Sequence, residues 1–185
     1  MSILETLGFG RKLSERQSSG DTETVRRIVS ELDALEPARA RFVAAFAYIL
    51  GRVAHADQNV SAEETAEMER IVSERGHLPP EQAVLVVSMA KSQNVLFGHT
   101  ENYLVTREFT QIATDEQRAE LLDCLFAVSA ADDSISGAEE SQIRQIASEL
   151  GFSHRETVQA RGKYSDKREV TRGLRQQADT DEDPE

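Results

Sequence analysis

SAADDSISGAEE, residues 129–140, decides the fold, because AHADQNVSAEET, residues 54–65, is its echo. Each stretch has an Asp, a short polar gap, one aliphatic residue, a Ser, and a Glu three residues after that Ser. The equivalent residues are Asp57 and Asp132, Val60 and Ile135, Ser61 and Ser136, Glu64 and Glu139. The correspondence extends in both directions. Moved along by 75, residues 46–76 lie on 121–151, so that Leu50 and Val53 meet Leu125 and Val128. On the other side Ile71, Glu74 and Gly76 meet Ile146, Glu149 and Gly151. Core positions, loop and terminal glycine all agree, which is the signature of an internal repeat. The spacing predicts two helix–loop–helix units packed as a pseudo-symmetric pair.

Ser61 with Glu64, and Ser136 with Glu139, fit the S-x-x-E capping box. In it the hydroxyl accepts the N–H three residues on and the Glu reaches back to the amide of the Ser, each cap contributing about 1 kcal/mol. A helix start therefore explains Ser and Glu. It does not explain Asp57 and Asp132, which are expected to end the preceding helices, where a carboxylate opposes the macrodipole. An ion would favour them there, and so would hydrogen bonds to the loop's own amides. An EF-hand is excluded: counted from either Asp, the position that needs a bidentate Glu is Met68 or Ile143. A looser site remains, with Asp57, Glu64, Asp132 and Glu139 meeting between the hairpins. Oxygen-only ligands favour Ca²⁺ or Mg²⁺ over Zn²⁺.

The rest of the chain is also helical in period. Val25, Ile28, Val29, Leu32 and Leu35 form one stripe from about Thr22. ARARFVAAFAYILGRVAHA, residues 38–56, is apolar on more than one side and reads as a central helix. LPPEQAVLVVSMAK places its prolines in a first turn, where a missing N–H costs little. SQNVLFGHT is a loop, ENYLVTREFTQIA a further helix, and Thr114 with Gln117 and Ser153 with Glu156 cap two more. No strand or hairpin signal appears. The expectation is an all-α, compact bundle of about seven to eight helices over residues 21–164. A flexible segment, 1–20, precedes it, with KLSERQSSGDTE as linker, and a polar, acidic tail, 165–185, follows.

Composition narrows the function. In 185 residues, 33 acidic side chains outnumber 21 basic ones, for a formal charge of -12. Such a surface repels phosphate backbones, so nucleic acid is not an expected partner, whereas divalent cations and basic proteins are. Cys124 is the single cysteine and sits in the apolar run LLDCLFAV, so it reads as a buried thiol. No run is long enough for a transmembrane helix, and MSILETLGFGRK lacks the basic start of a signal peptide, so a cytoplasmic location is expected. The four histidines, His55, His77, His99 and His154, show no metal-binding spacing, and phosphate-cradle and nucleophile-elbow motifs are absent. Three functions compete: a non-enzymatic module binding partners and an ion, an acidic interaction domain without metal, and a carboxylate-dependent metallohydrolase.

The paired pattern, in AHADQNVSAEE and in LFAVSAADDSISGAEESQIRQIASELGFS, resembles the tellurite-resistance TerB family. That family includes the N-terminal module of the DjlA co-chaperones. The likeness runs from about residue 35 to about 160. It implies two helical hairpins around a pseudo-two-fold axis, in a bacterial cytoplasmic protein tied to tellurite and other stress responses and without a known catalytic activity. It also implies a metal site from Asp57, Glu64, Asp132 and Glu139, and protein partners in membrane-associated stress complexes. The chain departs from the family after each Asp, where Gly is usual and Gln58 and Asp133 stand instead. A left-handed backbone there costs about 1 kcal/mol without Gly.

Overall fold

The computed structural model describes residues 19–54, 62–92, 102–131 and 135–165. They form eight helices: α1 Ser19–Asp33, α2 Pro37–Ala54, α3 Ala62–Arg75, α4 Pro80–Lys91, α5 Asn102–Ile112, α6 Asp115–Ser129, α7 Gly137–Glu149 and α8 His154–Gly162. No strand occurs among the described residues, and the all-α expectation holds. Helix α1 opens at Ser19, inside the stretch read as linker and ahead of the expected Thr22. Glu23 near its start suits the positive end of the helix dipole.

Helix α2 is the axis of the bundle. Every residue from Phe42 to Leu50 is buried, as are Ala40 and Val53. A helix apolar all round must be enclosed, and α1, α4, α5, α6 and α7 all pack on it. Phe42, Phe46 and Phe109 stack into one aromatic knot across α2 and α5, with ring centroids 5.3–6.2 Å apart. Such pairs contribute about 0.5–1.5 kcal/mol beyond their buried area. Pro79 and Pro80 begin α4 as their missing N–H groups allow.

Capping boxes close the starts of α6, α7 and α8, at Thr114–Gln117, Ser136–Glu139 and Ser153–Glu156. The helix ends keep the sequence offset: α2 and α6 end at Ala54 and Ser129, and α3 and α7 begin at Ala62 and Gly137, 75 residues apart in each case. The matching glycines differ in role. Gly151 has φ +89° and completes a Schellman motif, in which Phe152 N–H donates to Ala147 O at 2.9 Å and Gly151 N–H to Ser148 O at 3.1 Å. Gly76 is not in the left-handed region. There the next residue, His77, takes the positive φ, +48°. Gly76 is needed for closeness, since an added Cβ would lie 2.6 Å from Val72 O, 3.0 Å from the Phe46 ring and 3.3 Å from Cys124 Sγ. No described helix is long and apolar enough to cross a membrane.

Candidate functional site

Of the four carboxylates expected at an ion site, Glu64 and Glu139 are described; Asp57 and Asp132 lie outside the described residues. Glu139 occupies the first turn of α7. Its Oε2 accepts the Ser136 N–H at 2.9 Å, and its own N–H donates to Ser136 Oγ at 3.2 Å. The cap orients this carboxylate back over the chain that leads into the helix. Ile135, just ahead, is buried at 2% exposure and anchors the end of the second acidic loop in the core. Glu64 is exposed in the first turn of α3. The capping partner read for it, Ser61, is again outside the described residues, as are His55 and His99. Met68 and Ile143, which occupy the position an EF-hand needs for its last ligand, are both buried.

The way α3 crosses α6 sets the start of α3 beside the end of α6. The Cys124 thiol faces Ile71 O at 3.9 Å, Arg75 faces Asp123 at 3.6 Å, and His77 Nδ1 meets Glu120 Oε1 at 2.7 Å. As α3 advances from 71 to 77, its partners retreat along α6 from 124 to 120, so the two helices are antiparallel. Seven residues before Ile71 stands Glu64, and seven residues after Cys124 stands Ala131, where the second acidic loop departs. At 1.5 Å per residue both steps are about 10 Å. The helix start carrying Glu64 and the chain leading to Asp132 therefore share one end of the molecule. Each hairpin also reaches the other through α2 and α7, which pack together.

Among the described residues no group of three or more His, Cys, Asp or Glu side chains could hold a metal ion. A carboxylate has about four lone-pair sites, so Glu139 can keep its cap and still offer its second oxygen. Cys124 does not add a reactive group. Burial pushes its thiol well above the ordinary range, and the charges of Asp123 and Glu120 push the same way.

A polar cluster that the sequence reading missed lies on the stem of the first loop. Arg52, in the last turn of α2, has a side chain only 2% exposed. Its Nη1 donates to Glu149 Oε2 at 2.7 Å and to Thr106 Oγ1 at 2.9 Å, and its Nη2 to Glu149 Oε1 at 3.2 Å. Gln145 Nε2 donates to the same carboxylate at 3.0 Å. Burial pushes the Glu149 carboxyl up, but the hydrogen bonds from Arg52 and Thr106 and the Arg52 charge outweigh it, and the net direction is down. The signal was present in FVAAFAYILGRVA: a lone cation inside an otherwise apolar helix requires a buried counter-charge.

A second ion pair joins α7 and α8. Glu140 Oε1 accepts Arg161 Nη1 at 2.8 Å, beside a shallow groove that His154 and Val158 also line. In comparison with known proteins, the family model described as tellurite resistance protein TerB matches residues 42–162, from α2 to the last residue of α8. No curated protein and no solved structure matches the chain.

Proposed function

The chain belongs to the tellurite-resistance TerB family, and from that premise we propose that it is a non-enzymatic stress-response module that binds protein partners and one divalent cation. The cation lies between the two acidic loop–helix motifs, with Asp57, Glu64, Asp132 and Glu139 as ligands. All four offer oxygen, which favours Ca²⁺ or Mg²⁺ over Zn²⁺. Bound there, the ion neutralises carboxylates that would otherwise repel one another and ties the first loop to the second. The partners are proteins of a cytoplasmic, membrane-associated stress complex, met through the surface that the ion organises.

The observation that carries this reading is the antiparallel crossing of α3 on α6, which sets the Glu64 helix start at the end where the Asp132 loop departs. Isothermal titration of chelator-stripped protein with Ca²⁺, Mg²⁺, Mn²⁺ and Zn²⁺ tests it. The expected result is a saturable heat and a raised melting temperature with Ca²⁺ or Mg²⁺, both lost in the Asp57→Asn/Asp132→Asn protein, which itself still melts near the wild-type temperature. No heat and no thermal shift with any of the four ions would sink the cation reading. The formal charge of -12 favours a second reading, an acidic interaction domain without metal. Under it a basic partner binds in a salt-sensitive way that EDTA does not change.

A further inference from the structure

We propose that α8 is a strap: a helix held mainly by charge and one aromatic stack, which opens as a unit while the rest of the bundle stays folded. Opening uncovers the face of α6 and α7 that carries Phe126 and Glu140. The inference does not depend on the cation reading above. Helix α8 is nine residues long, and Thr157 is the one of them that is buried. Its neighbours His154, Arg155, Glu156, Val158 and Gln159 are exposed. By contrast α7, on which α8 lies, buries Ile143, Ile146 and Ala147. A groove remains between the two helices, lined by Arg144, His154 and Val158 among others, so α8 does not close fully against α7.

The contacts that hold α8 gather at its C-terminal end. Arg161 Nη1 donates to Glu140 Oε1 at 2.8 Å, and Arg144 lies 4.0 Å from the same oxygen. Lys163 Nζ meets Asp123 Oδ1 at 2.9 Å. The Tyr164 ring stacks on Phe126, with centroids 5.8 Å apart and planes at 16°, and its hydroxyl donates to Asp123 O at 3.4 Å. Ala160 adds a partly buried methyl group. Beneath them Phe126 is 1% exposed and Glu140 8%. Both owe cover to α8, because Thr157, Val158 and Arg161 line the same groove. Closed, the strap keeps this face from water; open, it presents an aromatic ring beside a carboxylate. Opening as a unit follows from length: nine residues are too few for a helix to persist away from the body, so undocking and melting coincide. Segments with few buried apolar contacts open well below the free energy of global unfolding. Lys163 is 62% exposed, so its pair with Asp123 is also one that salt screens.

Amide hydrogen exchange of the whole folded chain, resolved by residue, tests this. After correction for intrinsic rates, the amides of residues 158–162 should exchange at least about a hundredfold faster than those of residues 46–50 in α2, and all at one opening equilibrium. Raising NaCl from about 0.05 M to about 1 M should speed them together by about threefold. Arg161→Gln, which withdraws the cation bonded to Glu140 Oε1, should speed them by about tenfold. Gly76→Ala, which disturbs α3 against α2 and α6, should speed the α2 amides and leave those of α8 unchanged, because the strap opens without the core. Amides in α8 as protected as those in α2, or α8 rates that follow the α2 rates in Gly76→Ala, overturn the inference. So does protection that declines residue by residue toward Gly162 with no common response to salt, which is fraying of an end. If either variant does not fold, the wild-type rates and their salt series decide by the same criteria.

Discussion

Gly76→Ala is the sharpest test of the packing between the two hairpins. The backbone at Gly76 is not left-handed, so alanine suffers no conformational penalty there. Two effects favour the substitution. Burying a methyl group is worth about 0.8 kcal/mol, and a stiffer unfolded chain about 0.4–1 kcal/mol. Against them stands the space. The new Cβ would come within 2.6 Å of Val72 O, the carbonyl that already accepts the Gly76 N–H at 3.0 Å. On its other sides it meets the Phe46 ring at 3.0 Å and Cys124 Sγ at 3.3 Å. Both side chains are fully buried, so neither can turn away. Relief requires α3 to shift relative to α2 and α6, and overpacking of this kind costs about 1–3 kcal/mol net. Urea unfolding followed by helical ellipticity should show the midpoint falling at unchanged slope. Melting should drop by about 2–4 °C for each kcal/mol lost. Gly76→Val should be worse again. Gly151→Asn is the control, because that site asks for a left-handed residue, which Asn tolerates. An alanine variant as stable as wild type, or no trend with side-chain size, would refute the close approach.

Two other expectations follow from buried groups. Glu149 has a depressed pKa in the folded state, so its contribution is present above the unfolded carboxyl value of about 4.3 and is lost as pH falls through the folded value. Glu149→Gln should therefore be less stable than wild type at pH 7, by about 3 kcal/mol, with the gap in urea midpoints narrowing as pH falls below the unfolded carboxyl value. A gap that is constant with pH would contradict the ion pair. Cys124, raised by burial, should ignore an aromatic disulfide reagent in buffer and react fully once urea unfolds the chain; rapid labelling of the native protein would show the thiol to be accessible.

Local rules made much of this fold readable. The caps at Thr114, Ser136 and Ser153 and the glycine stop at Gly151 each depend on residues three or four apart, and they formed as expected. Met68 and Ile143 were expected on an inward face by helical period alone, and both are buried. Contacts between distant segments were not readable. Arg52 and Glu149 are separated by 97 positions, and no spacing rule joins them. His77 was read as an unremarkable histidine, yet it takes the left-handed turn and pairs with Glu120 across to α6. At the candidate site, Ser136 and Glu139 were legible as a cap. Asp57 and Asp132 were singled out only because a cap leaves them unexplained, and a ligand role needs three-dimensional convergence that a one-dimensional pattern does not encode.

The crossing of the hairpins also governs how the chain is made. Synthesis delivers α2 well before α7, and Glu149 follows Arg52 by 97 residues. At about 5–20 residues per second, roughly 5–20 s pass between the two. During that interval the apolar run Phe42–Val53 carries a cation whose described carboxylate partner, Glu149, has not yet been made. A core that closed within that interval would have to take in an unpaired charge.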